Sequence, residues 1–334
     1  MQDPQPAAGD DRGTLRGVLL NWKLVIPAVL AVSVVLAFGV YARPRLLAEA
    51  LRGFDFVYLL PILGLAFLNY VVRFVRWQFF LRAVGLEVER RRSAGIFFSG
   101  LAMSVTPGKV GELFKCLMLK RELGSPYARS VPVVVNERLT DLVAVILLAG
   151  LGVARYPAGR VVFAAGVLLA LGVFVLLALS PRFAERLGTA LAKRWGREGV
   201  ADGAQETARS FVLLLRAPTF ALGTLLGFVA WFCECLAFWL VFPGFGWQEM
   251  SLFAATFVYA VSTLAGAVSF LPGGLGVTEA SMAAMLTGLF EVPRALAAAA
   301  TLVIRACTLW FAVLVGVVAY VLHMRRYGRT ERDD

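Results

Sequence analysis

Arg73, Arg76, Glu137, Arg138, Asp141, Glu234 and Arg305 lie inside stretches of sequence that are otherwise apolar. Lys109, Glu112, Lys115 and Glu279 stand at or beside two Pro-Gly-x-x-Gly segments. An ionised group at the centre of a membrane helix costs about 2.5–3.5 kcal/mol on insertion scales, so such residues mark binding sites, ion paths or proton relays. Several are spaced to act together. Asn69, Arg73 and Arg76 fall at i, i+4 and i+7 on one helix face, and Glu137 with Asp141, or Arg138 with Asp141, are one turn apart. The chemistry on offer is capture of an anion, with carboxylates to orient the cations. Other readings stay open: Arg73 and Arg76 as interfacial residues that snorkel, Glu137–Arg138–Asp141 as a structural ion-pair cluster, Glu234 as a structural carboxyl or a proton-coupling site. Glu279 is a second candidate for carrying a proton.

The Pro-Gly segments recur with the same spacing. Thr106-Pro107-Gly108-Lys109-Val110-Gly111-Glu112 follows the apolar run Ala94 to Val105, and Leu271-Pro272-Gly273-Gly274-Leu275-Gly276-Val277-Thr278-Glu279 follows Met250 to Leu271. A membrane helix needs about 20 residues to cross the hydrocarbon. The first run has 12, reaches mid-membrane, and is turned back by Pro107 and Gly108, with a short helix from Val110 to about Arg121 leading out. Each break is followed by a span with an arginine: Arg138 lies 31 residues after Pro107, and Arg305 lies 33 after Pro272. Breaks at corresponding places in two halves point to a transporter-type site at the bilayer midplane. Half-helix N-termini bring free N–H groups and partial positive charge to that depth, which suits a phosphate. The expected substrate-binding set is therefore Arg73, Arg76, Pro107, Gly108, Lys109, Gly111, Glu112, Glu137, Arg138, Asp141, Pro272, Gly273, Gly274, Gly276, Glu279 and Arg305.

The elements that must carry these residues follow from composition. Of 334 residues, 59% are hydrophobic and 16% charged, with mean hydropathy +0.76, a balance that makes a polytopic helical membrane protein. Six full spans are expected: Leu24–Val40, Phe56–Leu81, Val131–Gly150, Val161–Ser180, Phe220–Phe242 and Leu296–Leu322. The two breaks form re-entrant hairpins between spans two and three and between spans five and six. With both termini cytoplasmic, inner segments hold 23 of the 33 Lys and Arg and outer loops six, which satisfies the positive-inside rule. Three crossings separate the hairpins, so the halves (about 56–150 and 220–322) form an inverted repeat. That symmetry fails if Met250–Leu271 spans fully. Residues 1–23 and 323–334 are cytoplasmic tails, and 181–218 is an amphipathic inner-surface linker or a solvated one.

Net charge +11 would suggest nucleic acid in a soluble protein; here its placement suits a plasma-membrane protein, and no nucleic-acid partner is expected. Cys116, Cys233, Cys235 and Cys307 read as small core residues. His323 is the one histidine, so His-based metal sites and triads are excluded, and no metal or cofactor is expected. Met103 stands where a Walker A motif needs its first glycine.

In Arg73-x-x-Arg76-Trp77, the Thr106–Glu112 and Leu271–Glu279 segments, Glu137-Arg138-x-x-Asp141 and Arg305, the chain resembles the lysylphosphatidylglycerol synthase transmembrane-region family, described as flippase-like. The resemblance covers nearly the whole chain. It implies a module that moves an anionic or phosphate-headed lipid (a phospholipid or polyprenyl-phosphate-linked lipid) between leaflets. The soluble aminoacyl-transferase domain of the named enzymes is not expected here, since 12 residues follow the last span; lysyl transfer from tRNA is not expected either. Two further functions are weighed: a non-transporting partner of a glycosyltransferase or lipid-modifying enzyme, and a membrane enzyme acting on lipid phosphates. No nucleophile–base pair supports the last.

Overall fold

The computed structural model describes residues 44–106, 111–153, 156, 160–161, 163–176 and 198–327. Leu24–Val40, the expected first span, lies outside the described residues, as do 1–23 and 328–334 of the tails, 181–197 of the expected linker, and Pro107, Gly108 and Lys109. The described residues are helical, without a strand.

In chain order the helices are α1 (Pro44–Arg52), α2 (Leu59–Ala83), α3 (Arg90–Gly100), α4 (Phe114–Leu123), α5 (Tyr127–Val153), α6 (Phe163–Leu176), α7 (Glu198–Leu214), α8 (Ala217–Gly244), α9 (Leu252–Val268), α10 (Val277–Leu289), α11 (Arg294–Arg305) and α12 (Phe311–Tyr327). Among the described residues, three continuous stretches are long and apolar enough to cross a membrane: Phe56–Ala83, Ala217–Gly244 and Arg294–Tyr327. In the last, α11 passes into α12 through one π-helical stretch, Ala306–Trp310, directly after Arg305. Leu60, Leu68, Leu225, Leu314 and Val318 are exposed on these helices, as lipid-facing side chains are. α5 has 27 residues and matches a span in length, with its charges turned inward: Glu137 and Asp141 are buried. α9 has 17 residues, about 26 Å at 1.5 Å per residue, short of the roughly 30 Å hydrocarbon core.

Packing between the two halves is reciprocal. The most extensive contact joins α2 to α8, the long helices that open each half. Next, α9 packs on α5 and α12 packs on α3, so the helix before each break lies against the closing helix of the other half. One side-chain bond crosses the central pair, Asn69 Nδ2 donating to the Ala230 carbonyl at 2.8 Å. Small residues allow the approach. A Cβ on Gly223 would sit 2.3 Å from the Phe80 ring, and one on Gly227 would sit 2.7 Å from Arg76 Nη1.

One element differs from the sequence expectation, and a second takes the helical of its two readings. α1 is a helix where an outer loop was expected; Leu47 packs on Ala283, Ala298 and Ala299, which gives a nine-residue segment an apolar anchor. α7 extends a part of the linker onto the bundle, with Phe211 against Leu139 and an Arg129–Glu206 ion pair. Its buried Ala208, Phe211 and Leu214 make it a packed helix over those residues, not a solvated linker.

Gly316 sets the depth of the first break. A Cβ there would lie 2.0 Å from the Ala102 backbone nitrogen, in the 3₁₀ turn Leu101–Met103 that ends α3. Backbone cannot move aside as a side-chain tip can. Alanine normally favours a helix over glycine by about 1 kcal/mol, yet Gly316→Ala is expected to lower the thermal unfolding temperature in detergent. Gly64→Ala, in open space on α2, is expected to leave it unchanged or raise it.

Candidate functional site

The two breaks meet. Gly273 sits at φ 60° in the turn after α9, and a Cβ on it would come within 3.5 Å of Val105 at the end of the first short run. Gly266 on α9 approaches the same turn, with space for a Cβ only 2.0 Å from Thr278 Oγ1. Between the breaks lies a cavity of about 260 Å³. Ser104 and Glu112 line it from the first break, and Leu271, Gly273, Gly274 and Thr278 from the second. Arg73, Arg138, Asp141, Glu234 and Arg305 complete its charged lining, and Tyr70, Trp231 and Tyr259 its aromatic one. Phe270 and Leu271, both exposed, form an apolar rim.

Below the first break, four cations and three carboxylates form one network. Asp141 is its centre: Oδ1 is 2.7 Å from Arg76 Nη1, and Oδ2 is 3.0 Å from Arg138 Nη2 and 3.8 Å from Arg73 Nη2. Glu112 Oε1 lies 3.1 Å from Arg138 Nη1 and 3.9 Å from Arg73. Lys115 Nζ is 2.6 Å from Glu137 Oε2 and 3.9 Å from Glu112, and lies 4.5 Å from the Trp77 ring centroid. Arg76 is fully buried and bonds Thr140 Oγ1, so it does not snorkel. The network thus divides into a floor and a wall. Arg76, Lys115 and Glu137 are the floor, away from the cavity; Arg73, Glu112, Arg138 and Asp141 face it.

The floor pair gives a testable split. Gly100 makes room for the Lys115 stem, since a Cβ there would meet Lys115 Cγ at 2.6 Å. Removing one member of a buried ion pair costs about 3–5 kcal/mol, whereas an apolar replacement of both is often neutral. Lys115→Met is therefore expected to destabilise strongly, and adding Glu137→Leu to recover most of the loss, read by thermal unfolding.

The second break is built differently. Arg305 Nε donates to Glu279 Oε1 at 2.6 Å and Nη2 to the Gly273 carbonyl at 2.7 Å. Glu279 is buried and accepts the Gly276 N–H on Oε2 at 2.7 Å, capping α10. The turn amides expected to face a phosphate are already used. Gly274 N–H goes to Leu271 O at 2.9 Å, Leu275 N–H to Pro272 O at 3.0 Å, and Gly276 N–H to Glu279. Gly274 lines the cavity with its N–H already bonded, because a tight turn in apolar surroundings satisfies its own donors first. Arg305 and side-chain hydroxyls remain for recognition at this break. Pro272 is buried beside the cavity lining, and Gly111 donates to Thr106 Oγ1 at 2.9 Å.

Three lining residues carried no sequence signal. Tyr259 Oη donates to Glu234 Oε2 at 2.6 Å. Tyr70 Oη donates to the Thr308 carbonyl at 2.7 Å, an acceptor inside the π-helical stretch. Trp231 sits one turn before Glu234 on α8. Aromatic residues in apolar helices look alike whether they face lipid or a cavity; the three-residue spacing from Trp231 to Glu234 was the one legible hint.

A cavity walled by paired charges from two duplicated breaks is a signature that known sequences can be compared against. The sequence profile of the lysylphosphatidylglycerol synthase TM region matches residues 26–316. The chain belongs to that family. It is also similar to two UPF0104 membrane proteins of Methanothermobacter thermautotrophicus, each 26% identical, over 89% and 86% of this chain and 93% and 90% of theirs. A UPF0104 membrane protein of Pyrococcus horikoshii is 22% identical over 89% of this chain and 95% of its own. The protein is thus a helical membrane protein of a lipid-related family, and all four motif segments fall within the matched residues.

Proposed function

We propose that this protein is a lipid translocase that passes an anionic, phosphate-bearing headgroup between leaflets through the cavity between its breaks. The observation that carries the reading is that Glu112 and Arg138 from one half, and Gly273 and Arg305 from the other, line one cavity. An enclosed guanidinium attracts a phosphate far more strongly than one in water, and Arg binds it in a directional fork. The exposed rim at Phe270 and Leu271 leaves acyl chains an apolar route while the headgroup is inside. The 17-residue length of α9 and the exchange of partners between halves support two re-entrant hairpins in an inverted repeat of six spans. The bias of Lys and Arg toward the expected inner segments supports cytoplasmic termini in a plasma membrane.

Alternating exposure then follows from packing. Each break is bonded into its own half, through Glu112 with Arg138 and through Glu279 with Arg305, and the two come close where a Cβ on Gly273 would reach Val105. Rocking one half against the other separates the breaks with both of these ion pairs intact, and works against the Asn69–Ala230, Tyr70–Thr308 and Glu122–His323 bonds that join the halves. Reconstitution in liposomes with fluorescent phosphatidylglycerol tests the reading: transfer above the protein-free rate is expected, and no transfer of any anionic lipid would overturn it.

A further inference from the structure

We infer, on the translocase reading, that headgroup transfer is coupled to a proton carried by Glu234. Three guanidinium groups (Arg73, Arg138, Arg305) and three carboxyl groups (Glu112, Asp141, Glu234) line the cavity. With all six ionised the lining is balanced, and an entering anion adds an uncompensated negative charge to a poorly solvated space. One proton on the lining restores the balance.

The partners of each carboxyl group decide where that proton sits. Asp141 is within 3.0 Å of Arg76 and Arg138, and Glu112 within 3.1 Å of Arg138. Glu279, behind the lining, is held by the Arg305 guanidinium and the Gly276 amide. Guanidinium and amide nitrogens only donate, so the O–H of a carboxylic acid finds no acceptor among them. Glu234 is bonded instead to the Tyr259 hydroxyl, which donates to a carboxylate and accepts from a carboxylic acid. The Tyr259 bond is therefore available to either protonation state of Glu234. Tyr259 on α9, Tyr70 and Arg73 on α2, and Arg305 beside α12 are the titratable or charged groups around it, with Cys233 and Cys235 adjacent on α8.

The step is balanced. An O–H bond forms at a Glu234 carboxylate oxygen with a proton from water on one side as the headgroup enters. It breaks to water on the other side as the headgroup leaves. One proton and one negative charge travel together, so the cycle is electroneutral for a monoanionic lipid.

The test uses the full chain in phosphatidylcholine liposomes with fluorescent phosphatidylglycerol or phosphatidic acid and a pH-sensitive dye inside. A one-unit pH gradient is expected to shift the steady-state leaflet ratio of the monoanionic lipid about tenfold, with dye-reported proton movement and no response to a potassium diffusion potential. Glu234→Gln is expected to bring that ratio to one, and Glu234→Asp to retain a shift. A Gln variant that folds but transfers nothing, beside an Asp variant that keeps the shift, also supports the assignment. Wild-type transfer with no gradient response overturns the coupling and leaves the translocase reading standing; a Gln variant that keeps the tenfold shift overturns Glu234 as carrier. Absence of wild-type transfer of either lipid overturns both.

Discussion

Asp141→Asn is expected to cost the protein about 3–5 kcal/mol of stability, because it removes one carboxylate from the buried Arg73 and Arg76 and the partly buried Arg138 at once. Arg138 and Arg73 retain Glu112, at 3.1 and 3.9 Å. Arg76 is worse placed. It is fully buried between α2, α5 and α8, and the partner left at hydrogen-bonding distance is the neutral Thr140 hydroxyl at 3.3 Å. The cost therefore belongs mainly to one stranded guanidinium. Adding Arg76→Met to Asp141→Asn should recover most of the lost stability, and Arg138→Met much less. Thermal unfolding of the purified variants in one detergent checks this ordering. Equal recovery from either second substitution would show that Asp141 is not the centre of the network.

The second large effect is on transfer. Arg305→Ala is expected to reduce lipid transfer by about 30-fold or more, taking the low end of 2–5 kcal/mol for truncating a buried hydrogen-bonded charge pair. Two losses are combined: the cation that faces the cavity, and the clamp from Glu279 to the Gly273 carbonyl. A double variant separates them. Arg305→Ala with Glu279→Gln removes the stranded carboxylate, so stability should rise toward wild type while transfer stays low. Arg305→Lys should fall between, since one ammonium keeps the charge but cannot reproduce the two-pronged geometry. Transfer rates recovering together with stability in the double variant would make Arg305 purely structural.

The sequence carried the placement of the breaks and their charges because both are written in composition. Proline and glycine interrupt an apolar run wherever it occurs, and an arginine in such a run has few reasons to be there. Thus Glu112, Arg138, Asp141, Gly273 and Arg305 were legible, and they line the cavity. Pairing was less legible. Lys115 and Glu137 are 22 residues apart in the chain and bond each other behind the cavity, so Glu137 is placed in the floor by a partner that no local spacing reveals. The same holds for Arg76, whose surroundings depend on Gly227 in the other half. The partners of the Gly274 and Gly276 amides were not legible, because glycine signals only that backbone comes close; whether its N–H is bonded within the turn depends on the turn type. The π-helical stretch after Arg305 left no trace in an apolar sequence, although it offers the carbonyl that holds Tyr70.

The central claim is that a lipid's polar end occupies the space where the two breaks meet. Photocrosslinking with a phosphatidic acid carrying a photoreactive group on its headgroup, followed by peptide mass spectrometry, tests it most directly. The account predicts adducts on the segments around Ser104, Trp231 and Gly273, lost in Arg305→Ala. Adducts confined to the outer apolar belt, at helices bearing Leu225 and Leu314 on their exposed faces, and unchanged by that substitution, would contradict it.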